Sequence, residues 1–230
     1  MITPRRVWIT RTRPGAEQTA ARVAARGWQP VVGPLLIVRP MADAMDAAPA
    51  IDQIACLALT SPNTLEAVTD WGPYAHLPAH AVGDTTAKAA KAAGFLNVQS
   101  AQGDIHALAA LIAEQAPMGT VFAPGAAEPA GDLPALLSDR SVIRLPVYET
   151  VPTDAPVPDD IGVVLLHSPR AARILSDRLT PDQARDLTAV AISPAAATPL
   201  NALPFKEIRV SHTPDEEGVL AALGNSPTPV

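Results

Sequence analysis

The sequence predicts an α/β protein built on parallel sheets, and three observations carry that prediction. Short β-type runs alternate with alanine-rich helical stretches from one end of the chain to the other. Some runs, Ile54–Leu59 and Ile161–Leu166 above all, are almost continuously aliphatic, which suits strands covered by helices on both faces. Between them, apolar residues recur at helical spacing, as in Leu65 with Val68 and Leu108 with Leu111 and Ile112.

Taken in order, strands are expected at 7–10, 30–38, 54–60, 81–83, 120–123, 145–150, 161–167, 189–192 and 208–211. The first is Val-Trp-Ile-Thr and gives way to a helical stretch at Pro14. The second reads as one long strand although Gly33 and Pro34 interrupt it. Pro62, Pro169 and Pro194 each follow a strand, open a helical stretch and are preceded by a serine. Serine is a favoured N-cap, and proline suits the first helical turn, where its missing N–H is not needed. The chain carries 25 prolines in 230 residues, about twice the usual ~5%, so these placements matter.

The strands and helices repeat. Residues 59–68 match 166–175, from Leu59-Thr60-Ser61-Pro62 and Leu166-His167-Ser168-Pro169 onward, and 81–87 match 191–197 at nearly the same distance downstream. Gly103-Asp104 before Leu108 pairs in turn with Thr213-Pro214 before Val219. More weakly, the first strand–helix–strand piece resembles 121–124, a helix and 144–150. The chain is thus a strand–helix–strand piece, a three-strand piece, and both again. Either neighbouring pieces pair into domains, or the first joins the last around an inserted domain.

Composition removes several functions. With 48% hydrophobic residues and 17% charged, the chain is no disordered acidic segment. At roughly 150 residues per domain, its length fits one large domain or two small ones. A pI near 5.3 and a net charge of −6 argue against a nucleic-acid binder, and 3% aromatics against a stacking platform. The single cysteine, Cys56, excludes an internal disulfide and a multi-cysteine metal site and is expected in the core. The histidines lack metal spacing: His76 and His80 are separated by Pro78, which breaks the helix a zinc pair would need. His167 adjoins Ser168, but neighbours in a strand point to opposite faces, so no serine hydrolase is expected. No GxGxxG or GxxxxGK[ST] follows a strand. The amino terminus lacks an apolar signal core, and no run approaches the 18 to 20 apolar residues of a membrane span. A reducing, cytoplasmic setting is expected, with residues 224–230 as a disordered tail.

In an open parallel sheet, strand-to-helix turns gather at the carboxyl edge, where ligands bind. Their amides and helix dipoles favour anions. The turns at 11–14, 60–63, 83–86, 124–127, 168–170 and 193–195 are therefore expected to line a cleft between two domains, suited to a large polyanion.

At these turns the sequence resembles the uroporphyrinogen-III synthase family. The resemblance rests on Ile9-Thr10-Arg11 with Pro14, Leu59-Thr60-Ser61-Pro62-Asn63, Ala81-Val82-Gly83-Asp84-Thr85-Thr86-Ala87, the 100–104 stretch, Val147-Tyr148-Glu149-Thr150 and Leu166-His167-Ser168-Pro169-Arg170, in the family's order. It implies two similar flavodoxin-like parallel-sheet domains, one inserted in the other and joined by a two-stranded hinge. The first would comprise 1–36 and 152–230, the second 40–146, with hinge strands near 33–40 and 145–152. It further implies a linear tetrapyrrole, hydroxymethylbilane, bound in the interdomain cleft of a monomer that uses no metal or organic cofactor.

The implied reaction removes water from the hydroxymethyl group to leave an azafulvene. Ring D attacks through its substituted carbon, and a spiro intermediate reopens and recloses with that ring inverted. Unguided closure gives the type I isomer instead, so the protein's task is orientation, worth up to ~7–11 kcal/mol in favourable cases. Tyr148 is the candidate for assisting hydroxyl departure, since a phenol holds its proton at neutral pH and can donate it. Expected substrate contacts are Arg11 and Arg170, as bidentate partners of carboxylates, and the turn residues Thr60, Ser61, Asn63, Gly83, Thr85, Thr86, Gly125, Ser168, Ser193, Ala195 and Ala196. Two departures stand out: Ala195-Ala196-Ala197 replaces the family's frequent threonine pair, and the turn at Gly125 lacks a frequent basic residue. The alanine replacements at 195–197 are compatible with a second reading, a two-domain binding or regulatory protein that closes on an anion. A glycosyltransferase-like enzyme is disfavoured by size and by the lack of a sugar-nucleotide signature.

Overall fold

A computed structural model describes residues 6–226. The chain forms two units, one from the segments up to Ile37 and from Val151 onward, the other from Val38–Thr150 inserted between them.

The outer unit begins with β1 (Arg6–Ile9), α1 (Gly15–Ala24) and β2 (Gln29–Val32), and β3 (Leu36–Pro40) enters the inserted unit. There β4 (Ile54–Leu59), α2 (Pro62–Ala67), β5 (Pro78–Ala81), α3 (Asp84–Ala92), β6 (Asn97–Ser100) and α4 (Ile105–Gln115) alternate. Next come β7 (Thr120–Ala126), a single helical turn α5 (Leu133–Leu136) and β8 (Val142–Pro152), which leads back out. The outer unit is completed by β9 (Ile161–Leu166), α6 (Pro169–Arg178), α7 (Pro181–Arg185), β10 (Thr188–Ala191), α8 (Pro194–Ala197), β11 (Glu207–Val210) and α9 (Glu216–Leu223).

The outer sheet runs β11-β10-β9-β1-β2, all parallel. The inserted sheet runs β3-β8-β7-β4-β5-β6, with β8 through β6 parallel. Matching β4, β5 and β6 to β9, β10 and β11, and β7 and β8 to β1 and β2, gives both sheets one spatial order entered at different points. Register supports the match, because Trp8 faces Val164 as Phe122 faces Leu57. Adjacent strand residues feed opposite faces, as the two-residue period requires. Trp8, Val164 and Leu166 pack on Leu175 of α6, while Val7, Ile9 and Leu165 pack on Val23 of α1 and Leu220 of α9. In the inserted sheet Leu57 and Phe122 pack on Leu65 of α2, and Cys56 and Val121 on Leu108 and Ile112 of α4. Burial there pushes the Cys56 thiol up to about 11 against the opposing charge of Arg140.

Four local expectations are corrected. Segment 30–38 is two strands in different sheets, divided where Trp8 Nε1 donates to the Gly33 carbonyl at 2.7 Å. A Cβ on Gly33 would stand 2.7 Å from that nitrogen, so the break needs glycine. The strand placed at 81–83 lies earlier, at β5, because its Pro78 takes the first strand position and His80 is buried inside it. Edge strand β6 escaped the sequence reading because its side chains are only half-covered and mostly polar. Of the expected tail, Gly224 and Ser226 are pinned: Trp28 Nε1 donates to the Gly224 carbonyl, and the Ser226 amide to that of Arg26, both at 3.0 Å. Residues 227–230 lie outside the described residues. Among the described residues no helix is long and apolar enough to cross a membrane.

Candidate active site

The turn expected at 124–127 does not open a helix. Strand β7 continues to Ala126, and the following Glu128-Pro129-Ala130-Gly131 cannot hold helical geometry, so only the short α5 forms. Where the outer unit has the ten residues of α1 after β1, the inserted unit has a loop and one turn. The space left at the carboxyl edge of its sheet is a hollow of about 490 Å³. Thr60 and Ser61 after β4, Asp104 and Ile105 at the start of α4, Gly125 of β7, and Arg144 and Tyr148 of β8 line it.

Tyr148 is delivered there by an irregularity in the ladder. Gly125 pairs with Pro146 but Ala126 pairs with Tyr148, so Val147 is an extra residue in β8. Such a bulge re-aims a side chain. The Ala127 amide donates to the Tyr148 carbonyl at 2.8 Å and fixes the bulge. Tyr148 is 5% exposed and belongs to the apolar cluster that includes Val147 and Phe122. Close to Gly125 lie the hydroxyls of Thr60 and Thr64, and that of Thr64 is buried with no hydrogen-bond partner.

The strand-to-helix turns differ in what they leave available. Ser61 Oγ accepts the Asn63 amide at 3.2 Å, Ser168 Oγ that of Ala171 at 3.1 Å, and Ser193 Oγ that of Ala196 at 3.3 Å. Asp104 takes the His106 and Ala107 amides at 2.9 and 3.1 Å, and the bond from Ala107 leads the causes that hold its carboxyl below the usual range. These helices are capped by their own side chains. Helix α3 is not: Gly83 offers no side-chain acceptor, and nothing lies within 4 Å of where its Cβ would be. Thr85 is exposed in that turn, whereas Thr86 is buried beneath it.

The outer unit fills the corresponding place with side chains. Arg11 Nη1 reaches Glu216 Oε2 at 2.7 Å, Thr19 Oγ1 donates to Glu216 Oε1 at 2.6 Å, and His167 Nε2 lies 3.0 Å from Oε2. Burial would raise the Glu216 carboxyl, but the bonds from His167 and Thr19, with the charges of His167 and Arg11, hold it down to about 2. By the repeat, Glu216 stands where the inserted unit has Ile105, and Arg11 where it has Gly125.

Of the expected site residues, the structure brings Thr60, Ser61, Gly125 and Tyr148 around one hollow, with Asn63 one residue beyond the Ser61-Pro62 turn. Gly83, Thr85 and Thr86 follow Val82, which lines the same hollow. Arg11, Ser168, Arg170, Ser193, Ala195 and Ala196 belong to the outer unit, where Arg11 has Glu216 as partner, Ala195 is exposed and Ala196 is buried. Sequence reading missed Arg144, Asp104 and Glu216 as site groups. The repeat held the signal for the last two, since it aligns the starts of α4 and α9. No group of three or more potential metal ligands occurs among the described residues.

The family model described as uroporphyrinogen-III synthase HemD matches residues 17–221. Among solved structures, the uroporphyrinogen-III synthetase from Helicobacter pylori is similar with a TM-score of 0.64 and 15% identity, over 95% of this chain and 97% of that one. A mutant uroporphyrinogen III synthase from Thermus thermophilus gives a TM-score of 0.52 and 17% identity, over 95% and 98%. At such identities the structures speak for the fold alone. Among curated proteins, none is significantly similar in sequence. The family match spans most of the chain and the fold agrees with it: this protein belongs to the uroporphyrinogen-III synthase family.

Proposed function

We propose that this synthase holds its linear tetrapyrrole against the carboxyl edge of the inserted unit, in the hollow beside Thr60, Ser61, Gly125 and Tyr148, and that Tyr148 assists departure of the hydroxyl. The enzyme is a cyclising lyase that converts hydroxymethylbilane to uroporphyrinogen III with loss of water and inversion of ring D. The observation that carries the site proposal is the β8 bulge beside Tyr148, a nearly buried residue that lines the hollow at this edge.

In this reading the phenol donates to the leaving hydroxyl in a place that excludes most water. The exposed Thr60 hydroxyl and the uncapped amides of 83–86, with Thr85, hold carboxylates of the bilane, while Ser61 and Asn63 shape the adjoining turn. Thr86 supports that turn from below. Positioned donors keep ring D over the azafulvene, so that attack by its substituted carbon outruns unguided closure. On the outer unit, Ser168, Arg170, Ser193 and the exposed Ala195 belong to the same reading as carboxylate contacts, whereas the Ala196 amide is taken by Ser193 Oγ and holds its own turn. Arg11, held by Glu216, acts there by shaping the His167-Ser168 turn. A cytoplasmic monomer belongs to the same reading, and sedimentation of the purified protein tests its second half.

Tyr148→Phe tests the assignment of the phenol. Turnover is expected to fall on the order of 10²-fold, the usual contribution of a positioned acid, while affinity for the product stays within about twofold. An unchanged rate would remove Tyr148 from the mechanism.

A further inference from the structure

We infer that Arg144 is the cation that anchors a substrate carboxylate in the hollow of the inserted unit. The inference rests on that hollow being the substrate site. A polycarboxylate approaching it meets two negative side chains on the lining, Asp104 and Glu128, and one guanidinium, Arg144. The amino end of α4 gives an anion no alternative foothold, because the Asp104 carboxylate already occupies the His106 and Ala107 amides. Ser61 likewise occupies the Asn63 amide beside the hollow.

Most arginines of the chain are committed. Arg11 is held by Glu216, Arg39 by Glu149, Arg185 by Asp182 and Arg209 by Glu207, while Arg140 donates to the carbonyls of Ala113, Ala116 and Pro117 at the end of α4. Arg144 stands in β8 opposite Ala123 of β7, exposed, and makes no hydrogen bond or ion pair to a described residue. It shares its strand with Tyr148, which lines the same hollow. A guanidinium can clamp one carboxylate with two parallel hydrogen bonds. Gripping a substrate carboxylate near the phenol would restrain the chain of rings beside the reacting end.

The unit comparison sharpens the assignment. In the outer unit the equivalent place carries its own carboxylate, Glu216, which satisfies Arg11. In the inserted unit the apolar Ile105 stands in Glu216's position, and the guanidinium at the wall is left for a carboxylate from outside.

The test is steady-state kinetics with hydroxymethylbilane on Arg144→Gln, Arg144→Lys, Arg185→Gln and Tyr148→Phe. Arg144→Gln is expected to raise KM about 10- to 100-fold, the range of a charge-assisted hydrogen bond, with kcat within about twofold and an unchanged melting temperature. Its KM should also lose salt sensitivity, and Arg144→Lys should fall between it and the wild type. Arg185→Gln, which removes the same charge outside the hollow, should leave KM unchanged. An unchanged KM in Arg144→Gln while Tyr148→Phe is impaired would overturn the anchor alone. If neither variant differs from wild type, the hollow is not the substrate site and the wider reading falls. An equal KM rise in Arg185→Gln would reduce Arg144 to general surface charge and overturn the inference.

Discussion

Glu216 shows how one residue can decide whether a place in the fold is a site or a plug. Its carboxylate gathers Arg11, Thr19 and His167, and the arrangement ties α9 to α1 and to the turn after β9. Glu216→Gln keeps the shape and removes the charge. At neutral pH it should lower stability by about 1–3 kcal/mol, since hydrogen bonds to a charged group are lost and Arg11 stays behind unpaired. Folding takes this carboxyl from its ordinary 4.5 down to about 2. Its stabilisation is therefore complete above about pH 4.5 and fades as pH falls toward 2. Urea unfolding of both proteins should show their difference shrinking across that window, and a difference that stays constant would contradict the assignment. In sequence nothing singles out Glu216; only its partners, brought from residues 11, 19 and 167, give it a role. Tyr148 was legible through the resemblance, whereas its bulge was not, because an extra residue in a ladder leaves no mark in periodicity.

At the scale of elements, the Ser-Pro signals at 61, 168 and 193 mark true helix starts, each with the serine hydroxyl on a first-turn amide. That success also revises what those turns offer, since an amide taken by its own serine is not free for a substrate. The turn at Gly83 is the contrast, as it matches Ser193 in the repeat, shares its burial pattern and lacks the hydroxyl. Gly83→Ser should adopt the extended φ of −157° without strain. It should cap α3, gain a few tenths of a kcal/mol and raise KM for hydroxymethylbilane severalfold by occupying the amides. A stability gain with unchanged KM would show that α3 does not contact substrate. The helix expected after β7 failed for a readable reason, Pro129 and Gly131, and its failure is what opens the hollow. The split of 30–38 was harder to see, because the decisive contact comes from Trp8, far away in sequence.

Over the whole molecule, the repeat carried the architecture. Two sheets of one order, entered at different points, follow from the strand–helix–strand and three-strand pieces appearing twice. Residues alone left their pairing open, since local pattern says which segments are strands but not which distant strands meet. The asymmetry between the units was legible only in part: the residues that shorten one helix stand in the sequence, but the four side chains gathered in the other unit come from distant segments that only the fold brings together. The net charge of −6 now reads differently as well, since several of the acids are partners of arginines or helix caps, while Arg144 and the α3 amides are left to meet a polyanion. No comparison favours the regulatory-protein alternative, and the Ala195-Ala197 departure falls on a self-capped turn. The most direct test is to incubate the purified protein with hydroxymethylbilane, oxidise the products and separate the isomers. The account predicts the type III isomer in excess, formed faster than spontaneous closure; type I alone, at the spontaneous rate, would contradict it.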